Sequence, residues 1–267
     1  MPELPEVETV ARELRTRIIG KEINQIEALW SRSFQNMCDV EIAGQKILEI
    51  GRRGKYLILK LTKTFLIIHL RMTGQVLYFE QQNQCDFDDY IRVVVLFSDD
   101  TCILFKDVRK FGRIYHVADP DDQIAHVGKD ALDADYEYFS EYLSTSKMNI
   151  KAFLLSQKYI SGVGNIYADE ALFLSGLHPA VISNKIRGKK ARFLFENILY
   201  VLNNSILNMG STISDYRDPS GEKGKNQFYF NVYGRAGLPC TSCGTAIEKI
   251  RFAGRGTHFC PKCQKNK

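Results

Sequence analysis

The chain has 267 residues, 45% of them hydrophobic and 25% charged, with a formal net charge of +5. This is ordinary globular composition at a length that favours about two domains. No apolar run approaches the ~18 residues that span a bilayer, and the acidic start lacks a signal-peptide core, so a cytoplasmic protein without membrane association is expected.

Residues 2–20 read as an amphipathic helix. Val7, Val10, Ala11, Leu14 and Ile18 recur at helical spacing, and Gly20 ends the run. The opening Met1-Pro2-Glu3-Leu4-Pro5-Glu6 carries potential chemistry. If Met1 is removed, Pro2 becomes a free secondary amine, able to form a Schiff base with an aldehyde-level carbon. An α-amino group titrates near about 7.7–8.0, against about 10.4 for lysine, so far more of it is neutral at physiological pH. Glu3 is placed to donate or accept a proton. The competing reading is that Pro2 and Glu3 only start the helix, since proline suits the first turn and acids suit the positive end.

Residues 21 to about 117 read as β-structure. Lys46–Ile50, Tyr56–Leu61 and Arg92–Phe97 are rich in β-branched and apolar residues, Ser98-Asp99-Asp100 is a turn, and many short strands at close intervals suggest a sandwich. Arg52-Arg53-Gly54-Lys55 lies between two of these strands, where basic residues are solvated or reach a phosphate. Two further turns pair apolar side chains with arginine, His69-Leu70-Arg71-Met72-Thr73-Gly74 and Asp107-Val108-Arg109-Lys110-Phe111-Gly112. Met and Phe in such places usually belong to a core. An apolar wedge beside an arginine also suits filling the hole left by an extruded base.

The pattern changes after Asp119-Pro120. Residues 121–129 read as a linker, and from about 130 to 210 the period is helical. Within that stretch Gly162-Val163-Gly164-Asn165 precedes a helix; glycines there expose N–H groups to phosphate, and Asn165 suits the N-cap. A plain helix–helix turn fits equally well. Ser211–Gln227 is polar, contains Gly221 and Gly224, and reads as a mobile loop.

Of the seven cysteines, Cys38, Cys85 and Cys102 are scattered and read as buried or incidental. The other four form Cys240-x2-Cys243-x16-Cys260-x2-Cys263. Two close thiolate pairs converge on one Zn²⁺ without an open coordination position, so a single structural zinc is expected, with the intervening residues forming a hairpin. From Cys240 onward Lys249, Arg251, Arg255, Lys262, Lys265 and Lys267 face only Glu248, a balance suited to phosphate.

Together these segments resemble the formamidopyrimidine-DNA glycosylase family over nearly the whole chain. The motifs are Met-Pro-Glu-Leu-Pro-Glu-Val-Glu-Thr at the start, Arg-Gly-Lys-Tyr-Leu at 53–57, Arg-Lys-Phe-Gly at 109–112, Gly-Val-Gly-Asn-Ile-Tyr-Ala at 162–168, Val-Tyr-Gly-Arg at 232–235, and the four cysteines. The resemblance implies an α+β protein: a catalytic N-terminal helix and antiparallel β-sandwich (1–120), a linker (121–129), a helix-two-turn-helix domain (130–227) and a zinc-finger hairpin (228–267). It implies a bifunctional enzyme that removes oxidised purines from damaged double-stranded DNA and cuts the strand by β,δ-elimination, working as a monomer. Pro2 would attack C1′, Glu3 would protonate the sugar, and Lys55 would hold the phosphate near the lesion. Met72, Arg109 and Phe111 would fill the vacated space, Lys151 would lie near the lesion pocket, and Asn165 and Arg255 would grip phosphate. Asp88-Asp89-Tyr90 stands where many members have a histidine-containing segment, and two acids there would repel DNA. Endonuclease VIII-like specificity for oxidised pyrimidines is the rival enzyme reading, opposed by Leu4 and the Met72/Arg109/Phe111 set. A non-catalytic zinc DNA-binding protein is the rival from another class.

Overall fold

The structure, a computed structural model, describes residues 1–85 and 87–265. Lys267, counted above in the basic C-terminal segment, lies outside the described residues. Contacts divide the chain into two compact units, Met1–His126 with Asn208–Lys225, and Val127–Leu207 with the segment from Asn226 on.

The first unit opens with helix α1 (Leu4–Ile18), started by Pro5 in its first turn and a capping box between Glu3 and Glu6. Gly20, at φ +84°, supplies the left-handed residue that turns the chain away. Nine strands follow: β1 (Ile23–Ala28), β2 (Phe34–Asn36), β3 (Ile47–Arg53), β4 (Tyr56–Leu61), β5 (Phe65–His69), β6 (Gly74–Phe79), β7 (Ile91–Phe97), β8 (Cys102–Asp107) and β9 (Arg113–Val117). They form a four-stranded sheet, β1-β7-β8-β6, and a five-stranded sheet, β2-β9-β5-β4-β3. All pairings are antiparallel except β2 with β9. One apolar core joins the two: Ile50, Leu57, Leu59 and Ile68 from the larger sheet meet Val76, Val93, Val95 and Phe105 from the smaller. Val7, Val10, Leu14 and Ile18 of α1 complete it, which is why the helical period in 2–20 was so regular.

Three expectations are refined in this unit. The expected linker, 121–129, contains a short helix, α2 (Asp121–Ile124). Ser211–Lys225 is not a loose loop. Tyr216 is buried and its hydroxyl donates to the Glu6 carbonyl, Pro219 O accepts the Tyr78 N–H, and Gln75 Nε2 donates to Asp215 O. Polar composition hid this, because the segment is held by hydrogen bonds rather than by an apolar stripe. Finally, Cys102 is buried, one of the two expected readings, and it forms a disulfide with Cys85 at the outer apolar cluster of the smaller sheet, while Cys38 is a free thiol.

The second unit begins with a parallel bridge, β10 (Lys129–Asp130) with β11 (Ile160–Ser161). Its helices are α3 (Tyr136–Thr145), α4 (Ile150–Leu155), α5 (Asn165–Leu174) and α6 (Lys189–Leu207). Asp135 and Asn149 cap α3 and α4 through side-chain oxygens. Residues between the two cysteine pairs form the expected hairpin, β12 (Glu248–Phe252) with β13 (Arg255–Phe259). Among the described residues no helix is long and apolar enough to cross a membrane.

Candidate active site and nucleic-acid contacts

In the first unit, Pro2 and Glu3 are buried at the start of α1, while Met1 is exposed. Glu3 N donates to Glu6 Oε2 at 2.8 Å, and the Glu3 carboxylate accepts the Glu6 N–H in return. The other Glu6 oxygen accepts the Ser211 N–H at 2.7 Å. Glu6 thus ties the first residues to the 208–225 segment. Sequence reasoning gave it no role, although the Glu3-x-x-Glu6 spacing is that of a capping box.

Gly54-Lys55 forms the two-residue turn of the β3–β4 hairpin, with Gly54 at φ +59°. The basic run divides by partner. Arg52 is held inward, its Nε donating to Glu8 Oε2 at 3.0 Å and an Nη to Gly54 O at 3.0 Å. Burial alone would raise the Glu8 carboxyl; hydrogen bonds from Arg12 and Arg52 overcome it and hold the group below its usual range. Arg53 pairs with Asp121 at 3.4 Å. Lys55 is 92% buried (8% exposed), close to His69. Burial first, then the charges of Arg71 and Lys55, push His69 down to about 3, so the ring is neutral. Its Nδ1 accepts the Arg71 N–H at 2.9 Å, which leaves the proton on Nε2.

The structure brings Met72, Arg109 and Phe111 together. Arg109 Nη1 lies 3.1 Å from Met72 Sδ, and its guanidinium sits 5.1 Å from the Phe111 ring centroid. Met72 and Phe111 are 39% and 48% exposed, so both wedges are presented to solvent rather than packed in the core. Asp88 forms an ion pair with Lys106, and although burial opposes it, that hydrogen bond holds the Asp88 carboxyl below the usual range. One of the two acids expected to repel DNA is thereby matched by a cation.

In the second unit, Asn165 is the first residue of α5 and Gly164 is its N-cap, correcting the reading of Asn165 as the cap. The Asn165 amide instead donates to Gly256 O at 2.9 Å, in the zinc hairpin, while its buried Oδ1 has no hydrogen-bond partner among the described residues. Lys151 is fully buried. Its ammonium forms an ion pair with Asp169 and donates to the Asn165 carbonyl at 3.2 Å. Asp169 also accepts the His258 N–H at 2.9 Å. The next residue, Glu170, is buried and accepts the N–H groups of Asn231, Val232 and Tyr233 at 2.8–2.9 Å. Burial outweighs these donors and raises the Glu170 carboxyl above its ordinary value. Arg255 opens β13 beside Ala253 and Gly254, both left-handed at φ +48° and +72°, and is exposed.

The four Sγ atoms of Cys240, Cys243, Cys260 and Cys263 lie within 4.8 Å of one another. Four thiolates so close fit a tetrahedral ion with Zn–S bonds of about 2.3 Å. A small apolar patch of Phe173, Val232 and Ile247 surrounds the two buried members of the set.

The formamidopyrimidine-DNA glycosylase N-terminal domain matches residues 1–114, the helix-two-turn-helix (H2TH) domain of the same family matches 127–217, and the zinc finger found in FPG and IleRS matches 237–266. Formamidopyrimidine-DNA glycosylase of Protochlamydia amoebophila is 39% identical, covering 99% of this chain and 100% of the relative. The enzyme of Bacillus subtilis is 38% identical over the full length of both. Among solved structures, the Lactococcus lactis Fpg complex with abasic-site DNA superposes with TM-score 0.89 at 36% identity, covering 99% of this chain and 100% of that one. MutM (FPG) from Thermus thermophilus gives TM-score 0.90 at 37% identity, covering 100% of both. The match of three family domains in order, over a chain whose four thiols already form a zinc-binding cluster, means that this protein belongs to the formamidopyrimidine-DNA glycosylase family.

Proposed function

We propose that Pro2, exposed as a free amine once Met1 is removed, is the nucleophile of this DNA glycosylase and lyase. The observation that carries the reading is the opening segment itself, with Pro2 and Glu3 buried and fixed by the reciprocal Glu3–Glu6 bonds. The amine lone pair forms a bond to C1′, and the damaged base leaves with the electron pair of the glycosidic bond. Glu3 supplies the proton that opens the sugar ring. The resulting iminium ion acidifies the adjacent carbon, so β- and then δ-elimination release the two phosphates. Lys55 holds the phosphate next to the lesion. Met72, Arg109 and Phe111 occupy the space the base vacates, with arginine donating to the base left behind.

Asn165 and Arg255 bind backbone phosphate, Arg255 through its guanidinium and Asn165 through its amide, which carries two N–H groups and donates one to Gly256 O. Lys151, being buried, acts through the Asn165 carbonyl rather than by reaching DNA itself. The zinc holds the hairpin that carries Arg255. The substrate is duplex DNA bearing oxidised purines. In support, a Lactococcus lactis relative has been solved with DNA containing Fapy-dG. The protein acts as a cytoplasmic monomer. Along the sequence its domains run 1–120, 130–227 and 228–267, with a linker at 121–129, although residues 208–225 pack with the first unit.

Borohydride reduction should trap protein of which Met1 has been removed on an 8-oxoguanine duplex, and Pro2→Gly should abolish most of that adduct. Undiminished trapping by Pro2→Gly would move the nucleophile to a lysine. An oxidised-pyrimidine duplex cut faster than the purine one would overturn the substrate assignment.

A further inference from the structure

The two turns that carry the wedge residues are far apart in sequence and share one buried carboxylate. The first, between β5 and β6, holds Met72; the second, between β8 and β9, holds Arg109 and Phe111. Asp107 is fully buried between them. One of its oxygens accepts the Thr73 hydroxyl proton and the Arg109 N–H at 3.2 Å, and the other accepts the Gly112 N–H at 2.6 Å. The Thr73 oxygen in turn accepts the same Arg109 N–H at 3.1 Å. Thr73 and Asp107 therefore clasp the residue next to Met72 to both ends of the Arg109–Phe111 turn. The backbone secures Asp107 as well: its N–H donates to Tyr90 O at 2.9 Å and its carbonyl accepts Arg92 Nε at 2.8 Å.

Both turns need such a clasp because each contains a left-handed residue other than glycine, Arg71 at φ +55° and Lys110 at φ +61°. Conformations of this kind persist only where the surroundings over-determine them. The bonds sit at these points. Neutral His69 accepts the Arg71 N–H on one side, and Asp107 accepts the Arg109 and Gly112 N–H groups that flank Lys110 on the other. The close approach of Gly112 also requires glycine, since a Cβ there would lie 2.4 Å from the Phe105 ring and 3.1 Å from the Asp107 carboxylate.

We propose that Asp107 and Thr73 are positioning residues that lock the Met72 turn and the Arg109–Phe111 turn into one rigid wedge, and so set base extrusion and opposite-base discrimination. The proposal rests on the void-filling role assigned above to Met72, Arg109 and Phe111. Neither Asp107 nor Thr73 touches the reacting atoms. Their work is to hold three exposed side chains, on two separate loops, in one arrangement at the moment stacking is lost. Prealigned groups avoid an ordering cost that floppy ones incur during extrusion.

Thr73→Val removes the hydroxyl at nearly constant volume, and Thr73→Ser restores it. In single-turnover assays Thr73→Val should slow excision of 8-oxoguanine opposite C on the order of tenfold, the effect of one buried hydrogen bond. It should narrow the preference for C over A opposite the lesion, and change cleavage at a pre-formed abasic site less than about twofold. Thr73→Ser should recover most of the rate. In a background lacking all three wedge side chains (Met72→Ala, Arg109→Ala and Phe111→Ala together) Thr73→Val should have little further effect, because the clasp acts only through them. Asp107→Asn, which cannot accept on both sides at once, should reproduce the Thr73→Val pattern more strongly. Arg109→Ala and Phe111→Ala run alongside separate the two ideas. If those two are themselves silent, the void-filling role fails. If they impair excision while Thr73→Val retains wild-type excision and discrimination, the clasp is wrong. Equal loss on both substrates by Thr73→Val, or full additivity with the triple wedge variant, would likewise overturn it.

Discussion

The β-sandwich and the zinc hairpin reach order by different physics. The sandwich buries apolar residues from two sheets and a helix in one continuous core, from Val7 and Leu14 through Leu57 and Ile68 to Val93 and Phe105. The hairpin's apolar cluster is small: Val232, Ile247 and two cysteines meet Phe173 of α5, and Phe259 packs on His178. A segment that small lacks the apolar area to offset its chain entropy. Its substitutes are a metal, which ties four thiolates, and three polar side chains of α5. Asn165 reaches Gly256, Asp169 reaches His258, and Glu170 accepts the N–H groups of 231–233. Area-driven order tolerates loss of one contact, whereas ligation-driven order fails at a single point.

Stripping the zinc with a chelator is therefore expected to have the largest effect. It should cost duplex binding more than 100-fold and expose residues 237–265 to protease, because metal affinity and hairpin folding are one free energy. Cys260→Ser should do the same. The sandwich should keep its own unfolding transition, and loss of both together would erase the distinction between the regions.

Leu57→Ala, fully buried in the sandwich core, should destabilise that unit by about 2–5 kcal/mol in denaturant unfolding. Metal content by elemental analysis should be unchanged. Glu170→Ala provides the converse test. Removing a buried acceptor leaves the 231–233 N–H groups unmatched, at about 1–3 kcal/mol, felt as faster zinc loss to a competing chelator. The sandwich transition should not move.

A pH titration sharpens the comparison from within the sandwich. His69 is held near 3 when folded, far below the usual value of about 6.5 in the unfolded chain. The unfolded state thus binds the extra proton first. Stability is full above about pH 6.5 and falls as pH drops toward 3, with a slope of at most about 1.4 kcal/mol per pH unit from this group. His69→Gln should flatten that part of the curve, and an unchanged acid limb would remove His69 as its source.

The smallest effect expected on stability belongs to Phe111→Ala, since the ring is 48% exposed. Excision from duplex should slow roughly tenfold while abasic-site cleavage, zinc content and both unfolding transitions stay put. Arg109→Ala should narrow the preference for C over A opposite the lesion. A loss of folded stability from either change would mean that the wedge belongs to the core after all.

The helix at the start, the strands, the zinc hairpin and the family were legible in the chain alone, because each is written in local spacing. Val7, Val10, Leu14 and Ile18 carry a helical period, Tyr56–Leu61 is an apolar run of strand length, and Cys240-x2-Cys243 with Cys260-x2-Cys263 carries ligand geometry in two adjacent pairs. The partners that polar groups find across long separations came into view only with the folded chain. Glu6 meets Ser211, Asp107 meets Thr73, Lys151 meets Asp169, and the 208–225 segment is ordered by such bonds rather than left loose. Apolar residues announce their burial by period, since any apolar neighbour will do. A buried carboxylate needs particular donors at particular angles, and nothing in the spacing of a chain says which distant N–H or hydroxyl the fold will bring to it.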